Sequence, residues 1–191
     1  MEKKTIKLVA FAGSTRRDSL NKKLAQAAVK GAAAAGAEVT FVDLADYPMP
    51  MYDGDLENSG GYPEAAKKLK ALFQEADGFL IASPEYNSSY SAVLKNTIDW
   101  ISRPSEENEA PLSGFNGKQA SLMATSPGAL GGLRGLFALR ELLMNINVHV
   151  HPNMRSVGGG FEVFDEAGAI VDDATRAAVE GLGAQIVASL S

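Results

Sequence analysis

The sequence predicts an α/β protein, a five-stranded parallel sheet with helices on both faces. Apolar runs too brief to be helices recur along the chain, and longer stretches with apolar residues at three-and-four spacing separate them. Glycine, proline or Asp-Gly marks most changes from one kind of segment to the other. Strands alternating with helices make a parallel sheet, because right-handed β-α-β crossovers lay the helices over it.

Residues 6–12 (I-K-L-V-A-F-A) read as the first strand, which stops at Gly13. Leu20, Leu24, Ala27, Ala28, Gly31 and Ala35 then recur at helical intervals, and Gly36 ends that helix as a C-terminal glycine would. Val39–Val42 is the second strand. Residues 44–62 carry Pro48, Pro50, Asp53-Gly54 and Gly60-Gly61, which read as a long loop. Pro63 opens a helix that buries Ala66, Leu69, Leu72, Phe73 and Ala76. Asp77-Gly78 turns into the third strand, F-L-I-A, ended by Ser83-Pro84. Val93, Leu94, Ile98 and Ile101 mark another helix, and 103–117 is loop-like. Ala120–Thr125 reads as the fourth strand, Leu133–Ile146 as a helix, Val148–Val150 as the fifth strand, and about 173–190 as the last helix. No linker or repeat intervenes. The expectation is one domain over residues 1–191, a flavodoxin-like three-layer sandwich of strand order 2-1-3-4-5.

The composition removes several classes of function. At 191 residues and 46% hydrophobic, the chain can bury a core without staples. Eighteen Lys+Arg against 23 Asp+Glu give a net charge of −5, so there is no global basic field for nucleic acid and no polybasic membrane patch. The absence of cysteine excludes disulfides, thiolate metal sites, cysteine-ligated iron–sulfur clusters and a cysteine nucleophile. MEKKTIKLVAFAG leads into a strand rather than a signal-peptide core, and no apolar run approaches the roughly 18 residues of a membrane span. A cytoplasmic protein without membrane insertion or a nucleic-acid partner is expected.

In such a sheet a ligand sits beyond the carboxyl ends of the strands. After the first strand, Gly13-Ser14-Thr15-Arg16-Arg17-Asp18-Ser19-Leu20-Asn21 brings three hydroxyls, an amide and two guanidinium groups to a helix N-terminus. Unpaired N–H groups and the positive dipole end attract phosphate there, and arginine donates two parallel bonds to it. The alternative is that Asp18 or Ser19 caps the helix and the arginines are solvated; the hydroxyl density favours phosphate. After the third strand comes Ser83-Pro84-Glu85-Tyr86-Asn87-Ser88-Ser89-Tyr90, whose amides after the proline suit the edge of a planar ligand, with Tyr86 in aromatic contact; a plain turn before a helix has the same composition. After the fourth, Ser126-Pro127-Gly128-Ala129-Leu130-Gly131-Gly132 lets a backbone approach a ligand closely or serves a tight turn. Neither G-x-G-x-x-G in the first turn nor G-x-x-x-x-G-K-[ST] anywhere is present, which disfavours a Rossmann NAD site and ATP hydrolysis.

Taken in order, these loops resemble the NAD(P)H-dependent FMN reductase family, which includes quinone, azo-dye and chromate reductases. The first loop resembles that family's G-S-x-R-x-x-S-x-N motif, and S-P-E-Y-N its second signature. Leu94-Lys95-Asn96, Ile98-Asp99-Trp100 and S-P-G-x-x-G-G are similar to the family's later segments, so the resemblance spans about 6–151. It implies FMN, NADPH or NADH as electron donor, small acceptors such as quinones, azo dyes, chromate or free flavin, and a homodimer or homotetramer. It further implies that Ser14, Arg16, Ser19 and Asn21 hold the phosphate, that Pro84, Glu85, Tyr86 and Asn87 line the isoalloxazine, and that Ser126, Pro127 and Gly128 close its other side. No catalytic side chain and no metal ligand is nominated. The rival from another class is a flavodoxin-type FMN electron carrier that docks redox partners. A scaffold that has lost its flavin is a third reading, which the intact loops oppose.

Other features read as structural. His149 and His151 are taken as strand-end histidines, Glu106-Glu107-Asn108-Glu109 as a solvated loop, and Met49 and Met51 as packing residues. The helix at 133–146 carries Leu133, Leu136, Phe137, Leu139, Leu142, Leu143 and Ile146, more apolar positions than one core stripe needs, which points to a partner surface.

Overall fold

The computed structural model describes residues 4–191. Met1-Glu2-Lys3, expected to lead into the first strand, lie outside the described residues. The elements run β1 (Lys7–Ala12), α1 (Leu20–Ala34), β2 (Glu38–Val42), a 3-10 turn (Leu44–Asp46), α2 (Gly54–Gly60), α3 (Glu64–Glu75), β3 (Gly78–Ala82), α4 (Ala92–Ser102), β4 (Gln119–Thr125), α5 (Leu133–Asn145), β5 (His149–Val150), β6 (Arg155–Val157) and α6 (Asp173–Leu190). The sheet order is β2-β1-β3-β4-β5, and every pairing is parallel. This is the expected flavodoxin-like order.

Period-two alternation divides the strands between two cores. Val9 and Phe11 of β1 join Phe79, Ile81, Phe73, Leu94, Ile98, Leu136 and Leu139 under α3, α4 and α5. Leu8, Ala10 and Ala12 face the other way and join Leu80, Ala82, Leu24, Ala28, Leu182 and Ile186 under α1 and α6. Small residues bring those two helices together: a Cβ on Gly31 would stand 1.9 Å from the Glu180 carbonyl, and one on Gly183 2.1 Å from that of Ala28. Past α1, the Ala37 N–H donates to the Ala32 carbonyl at 3.1 Å and Gly36 takes φ +94°. That is the glycine stop the sequence announces.

Three segments differ from expectation. The 44–62 stretch contains α2, capped by the Asp53 carboxylate, which accepts from the Asp55 and Leu56 N–H groups. It buries no residue, so no apolar periodicity betrays it. The fifth strand is also longer than Val148–Val150 and is broken. β5 pairs with Gln119 and Ala120 of β4, and β6 resumes beside Met123, Ala124 and Thr125, making six strands. Pro152 has no N–H for the ladder, and the Met154 N–H turns back to its carbonyl at 3.0 Å.

The acidic stretch is not wholly solvated. Glu109 meets the buried ammonium of Lys70 at 2.5 Å, and Lys70 also donates to the Arg103 carbonyl. Burial pushes the Glu109 carboxyl up, but Lys70, Ser113 and Ser105 outweigh it and bring its pKa down to about 2. The pair pins the 103–117 loop to α3.

Candidate functional site

The first loop leaves β1 through Gly13, whose N–H donates to the Ala82 carbonyl at 2.8 Å. Its own carbonyl accepts from Ser91 Oγ at 2.6 Å, so the loop is bound to the start of α4. The Arg16 N–H reaches Ser14 Oγ at 3.3 Å. Ser19 occupies the cap position of α1, yet its hydroxyl makes no capping bond, and the first turn holds no acidic residue. Asp53, Ser91 and Asp172 do cap their helices through side chains. The N-terminus of α1 therefore offers a positive dipole end that no side chain caps and no first-turn carboxylate neutralises, with the Lys22 N–H turned onto the Ser19 carbonyl at 3.1 Å. Ser14 and Ser19 stand beside them, each about 5% exposed or less.

Asn21 ties this loop to the end of β4. Its Nδ2 donates to the Thr125 carbonyl and its Oδ1 accepts from the Thr125 N–H, both at 3.0 Å. Both ends of the amide are engaged, and one Nδ2 hydrogen remains for a ligand.

After β3, Tyr86 and Ser89 exchange backbone hydrogen bonds of 2.9 and 3.1 Å around Asn87 and Ser88. Both central residues have positive φ, +53° and +65°, as a type I′ turn demands. The Tyr86 N–H, expected to face a ligand, is consumed by this turn. Its ring is about half exposed. The Glu85 carboxylate turns toward α5, accepting from the Gly135 N–H at 2.9 Å and from Arg134 Nη2 at 2.8 Å. Burial alone would raise its pKa; the Gly135 N–H and the Arg134 guanidinium hold it lower. The last turn before α5 passes so close to β4 that a Cβ on Gly132, at φ +90°, would meet that of Ala124 at 2.7 Å.

These loops form a cleft lined by Ser14, Arg16, Ser19, Leu20, Asn21, Pro84, Glu85, Tyr86, Thr125, Ser126, Pro127 and Phe161. Of the expected residues, Asn87 and Gly128 stand outside the lining, exposed on their turns. Leu20, Thr125 and Phe161 were not anticipated. Leu20 and Thr125 are neighbours of expected residues. Phe161 comes from the segment after β6, where only the run Gly158-Gly159-Gly160 hinted at close backbone approach.

Asn96 and Trp100, part of the motif on α4, hold the segment after β2. Asn96 Nδ2 and Trp100 Nε1 donate to the Pro50 carbonyl at 2.9 and 2.8 Å, and Asn96 Oδ1 accepts from the Tyr52 N–H at 2.7 Å. His151 is partly buried, with Nε2 2.8 Å from Gln119 Oε1, and burial lowers its pKa.

The donor set fits FMN. Hydroxyls, helix N–H groups and a guanidinium suit a phosphate monoester, the Glu85 carboxylate in the lining is turned away into an ion pair, and Tyr86, Pro84 and Pro127 offer flat apolar walls. Fold and cleft together define a doubly wound α/β protein with a mononucleotide site at the carboxyl ends of its strands. The family model for NADPH-dependent FMN reductases matches residues 6–162, and the chain belongs to that family, one of oxidoreductases. It is 32% identical over 176 residues to an NAD(P)H-dependent FMN reductase of Pseudomonas aeruginosa, covering 92% of this chain and 90% of the relative. It is 33% identical over 176 residues to an NAD(P)H:quinone oxidoreductase of Solanum tuberosum, with 90% and 86% covered. Among solved structures, a flavoenzyme NAD(P)H:(acceptor) oxidoreductase from Paracoccus denitrificans superposes with a TM-score of 0.80 at 29% identity, covering 97% of each chain. A flavodoxin from Archaea shares the fold, with a TM-score of 0.62 at 11% identity over 97% of this chain and 99% of its own.

Proposed function

We propose that this protein is an FMN-dependent NAD(P)H oxidoreductase that delivers electrons from NADPH or NADH to quinones or similar small acceptors. The observation that carries the reading is the N-terminus of α1, where an uncapped helix end and two nearly buried serines stand beside Arg16 in one cleft. Bound there, FMN supplies two-electron chemistry that no side chain offers.

Ser14, Ser19, Arg16 and the first N–H groups of α1 hold the phosphate. Asn21 keeps the phosphate loop and the β4 loop at a fixed separation through Thr125. Pro84, Glu85 and Tyr86 flank the ring on one side, and Ser126 and Pro127 flank it on the other, with Asn87 and Gly128 on the turns outside the lining. Arg134 and the Gly135 N–H keep the Glu85 carboxylate ionised and directed at α5, so it acts as neither acid nor base.

All 191 residues serve one FMN-binding domain, and its nicotinamide supply suits the cytoplasm. Among the described residues no helix is long and apolar enough to cross a membrane. A second copy of the chain covers α5. Leu136, Leu139 and Leu143 are buried in the core, whereas Phe137 and Met144, seven residues apart on α5, are half exposed, as is Leu130 on the turn before the helix. That exposed apolar patch supports a homodimer or homotetramer.

The test is the visible spectrum of the purified protein, followed by FMN titration and steady-state oxidation of NADPH or NADH with a quinone. A flavin spectrum with sustained turnover is expected. A colourless protein that FMN does not titrate refutes the reading, and bound flavin without turnover would make it an electron carrier.

A further inference from the structure

Phe161 is 76% exposed yet lines the cleft. A ring so little packed takes its position from the backbone beneath it, and here that backbone is held on every side. The Glu162 N–H donates to the Gly159 carbonyl at 2.8 Å, closing a turn with Gly160 and Phe161 at its centre. The Gly160 N–H donates to the Ser126 carbonyl at 2.9 Å, and Thr125 Oγ1 to the Val157 carbonyl at 2.8 Å. A Cβ at position 160 would stand 3.0 Å from both Leu20 Cδ1 and Thr125 Oγ1, so the turn is lodged against the start of α1. Beyond it the chain folds back, the Val171 N–H donating to the Val163 carbonyl at 2.9 Å and Arg176 Nη1 to the Ile170 carbonyl at 3.0 Å. Ile170 is buried in the core beneath α1 and α6.

We propose that Phe161 covers the sugar-alcohol chain of the bound mononucleotide beside its phosphate and sets how slowly the flavin leaves. The inference rests on the proposed FMN site in the cleft. The phenyl ring takes apolar area of that chain out of water, and a departing flavin must expose it again. Phe161 is thus a retention residue, making FMN a resident group rather than one exchanged at each turnover.

The test is the rate of flavin release after rapid dilution, read as the rise of free-flavin fluorescence, for FMN and for riboflavin. Phe161→Ala removes the apolar contact of the ring and should speed FMN release roughly tenfold. Riboflavin release should rise by the same factor, because the ring does not address the phosphate. Phe161→Tyr, with a ring of the same shape, should release FMN at close to the parent rate. The high exposure of Phe161 leaves folding outside the question. An unchanged rate in Phe161→Ala, or a tyrosine variant as fast as the alanine one, overturns the inference. So does a change confined to the acceptor KM. Arg16→Ala separates the two levels: if it weakens FMN while Phe161→Ala does nothing, only this inference falls, and if neither matters the reading of the cleft falls with it.

Discussion

Asn21→Ala tests whether the two ligand loops are held together by one side chain. The amide of Asn21 is 4% exposed and bridges both backbone groups of Thr125, itself 2% exposed, at 3.0 Å each. Alanine leaves the Thr125 N–H buried without an acceptor, which costs about 1–3 kcal/mol, and removes a second bond of about 1 kcal/mol from its carbonyl. The expected loss is about 2–4 kcal/mol, a large fraction of the roughly 5–15 kcal/mol that stabilises a typical domain. For a chain of this size the melting temperature should fall by about 4–16 °C. Thermal unfolding by circular dichroism measures it. FMN affinity should fall as well, since the phosphate loop and the β4 loop lose their tie. Asn21→Asp keeps an acceptor for the Thr125 N–H but sets a carboxylate beside a carbonyl and the anion site. It should therefore bind FMN more weakly than Asn21→Ala. A melting temperature within about 2 °C of the parent would show that the bridge contributes nothing, and the reasoning would fail.

Arg16→Ala should weaken FMN by about 10- to 150-fold, the worth of a hydrogen bond to a charged group, and leave riboflavin unchanged; fluorescence titration of the apoprotein decides it. The Glu109 carboxyl is held at about 2 in the fold against an ordinary 4.5, so its pairing with Lys70 stabilises fully above about pH 4.5 and is lost as the pH falls toward 2. Urea midpoints at about pH 6 and about pH 3 should differ less for Glu109→Gln than for the parent. Phe137→Glu places a charge in the exposed apolar patch of α5 and should convert the oligomer to monomers in sedimentation velocity; a parent protein that is already monomeric at all concentrations refutes the interface.

Much of the fold was legible because burial writes a local pattern. Val9 and Phe11 alternate with Leu8 and Ala10 since a strand between two helical layers must satisfy both faces, and Leu69 and Phe73 repeat at helical spacing since one stripe of α3 meets the sheet. Segments that bury little left no such trace. α2 stands in solvent, and β6 is three residues long, separated from β5 by a proline. Glu109 read as solvated because nothing local announces that Lys70, 39 positions earlier, waits buried for it.

The site divides along the same line. Helix ends and turns are local, so Ser14, Arg16, Ser19, Pro84 and Tyr86 could be assigned from short motifs whose backbone geometry their own residues impose. The sequence by itself thus determined the sheet order, the position of the helix end that opens into the cleft and the loops that flank it. Only the tertiary structure decided what each group is free to do. It turned Glu85 onto the N-terminus of α5, spent the Tyr86 N–H within its own turn, made Asn21 a bridge to Thr125 and carried Phe161 across to the cleft. Hydrogen bonds and close backbone approaches between residues far apart in the chain depend on the packing of whole elements, and no short stretch of sequence contains both partners.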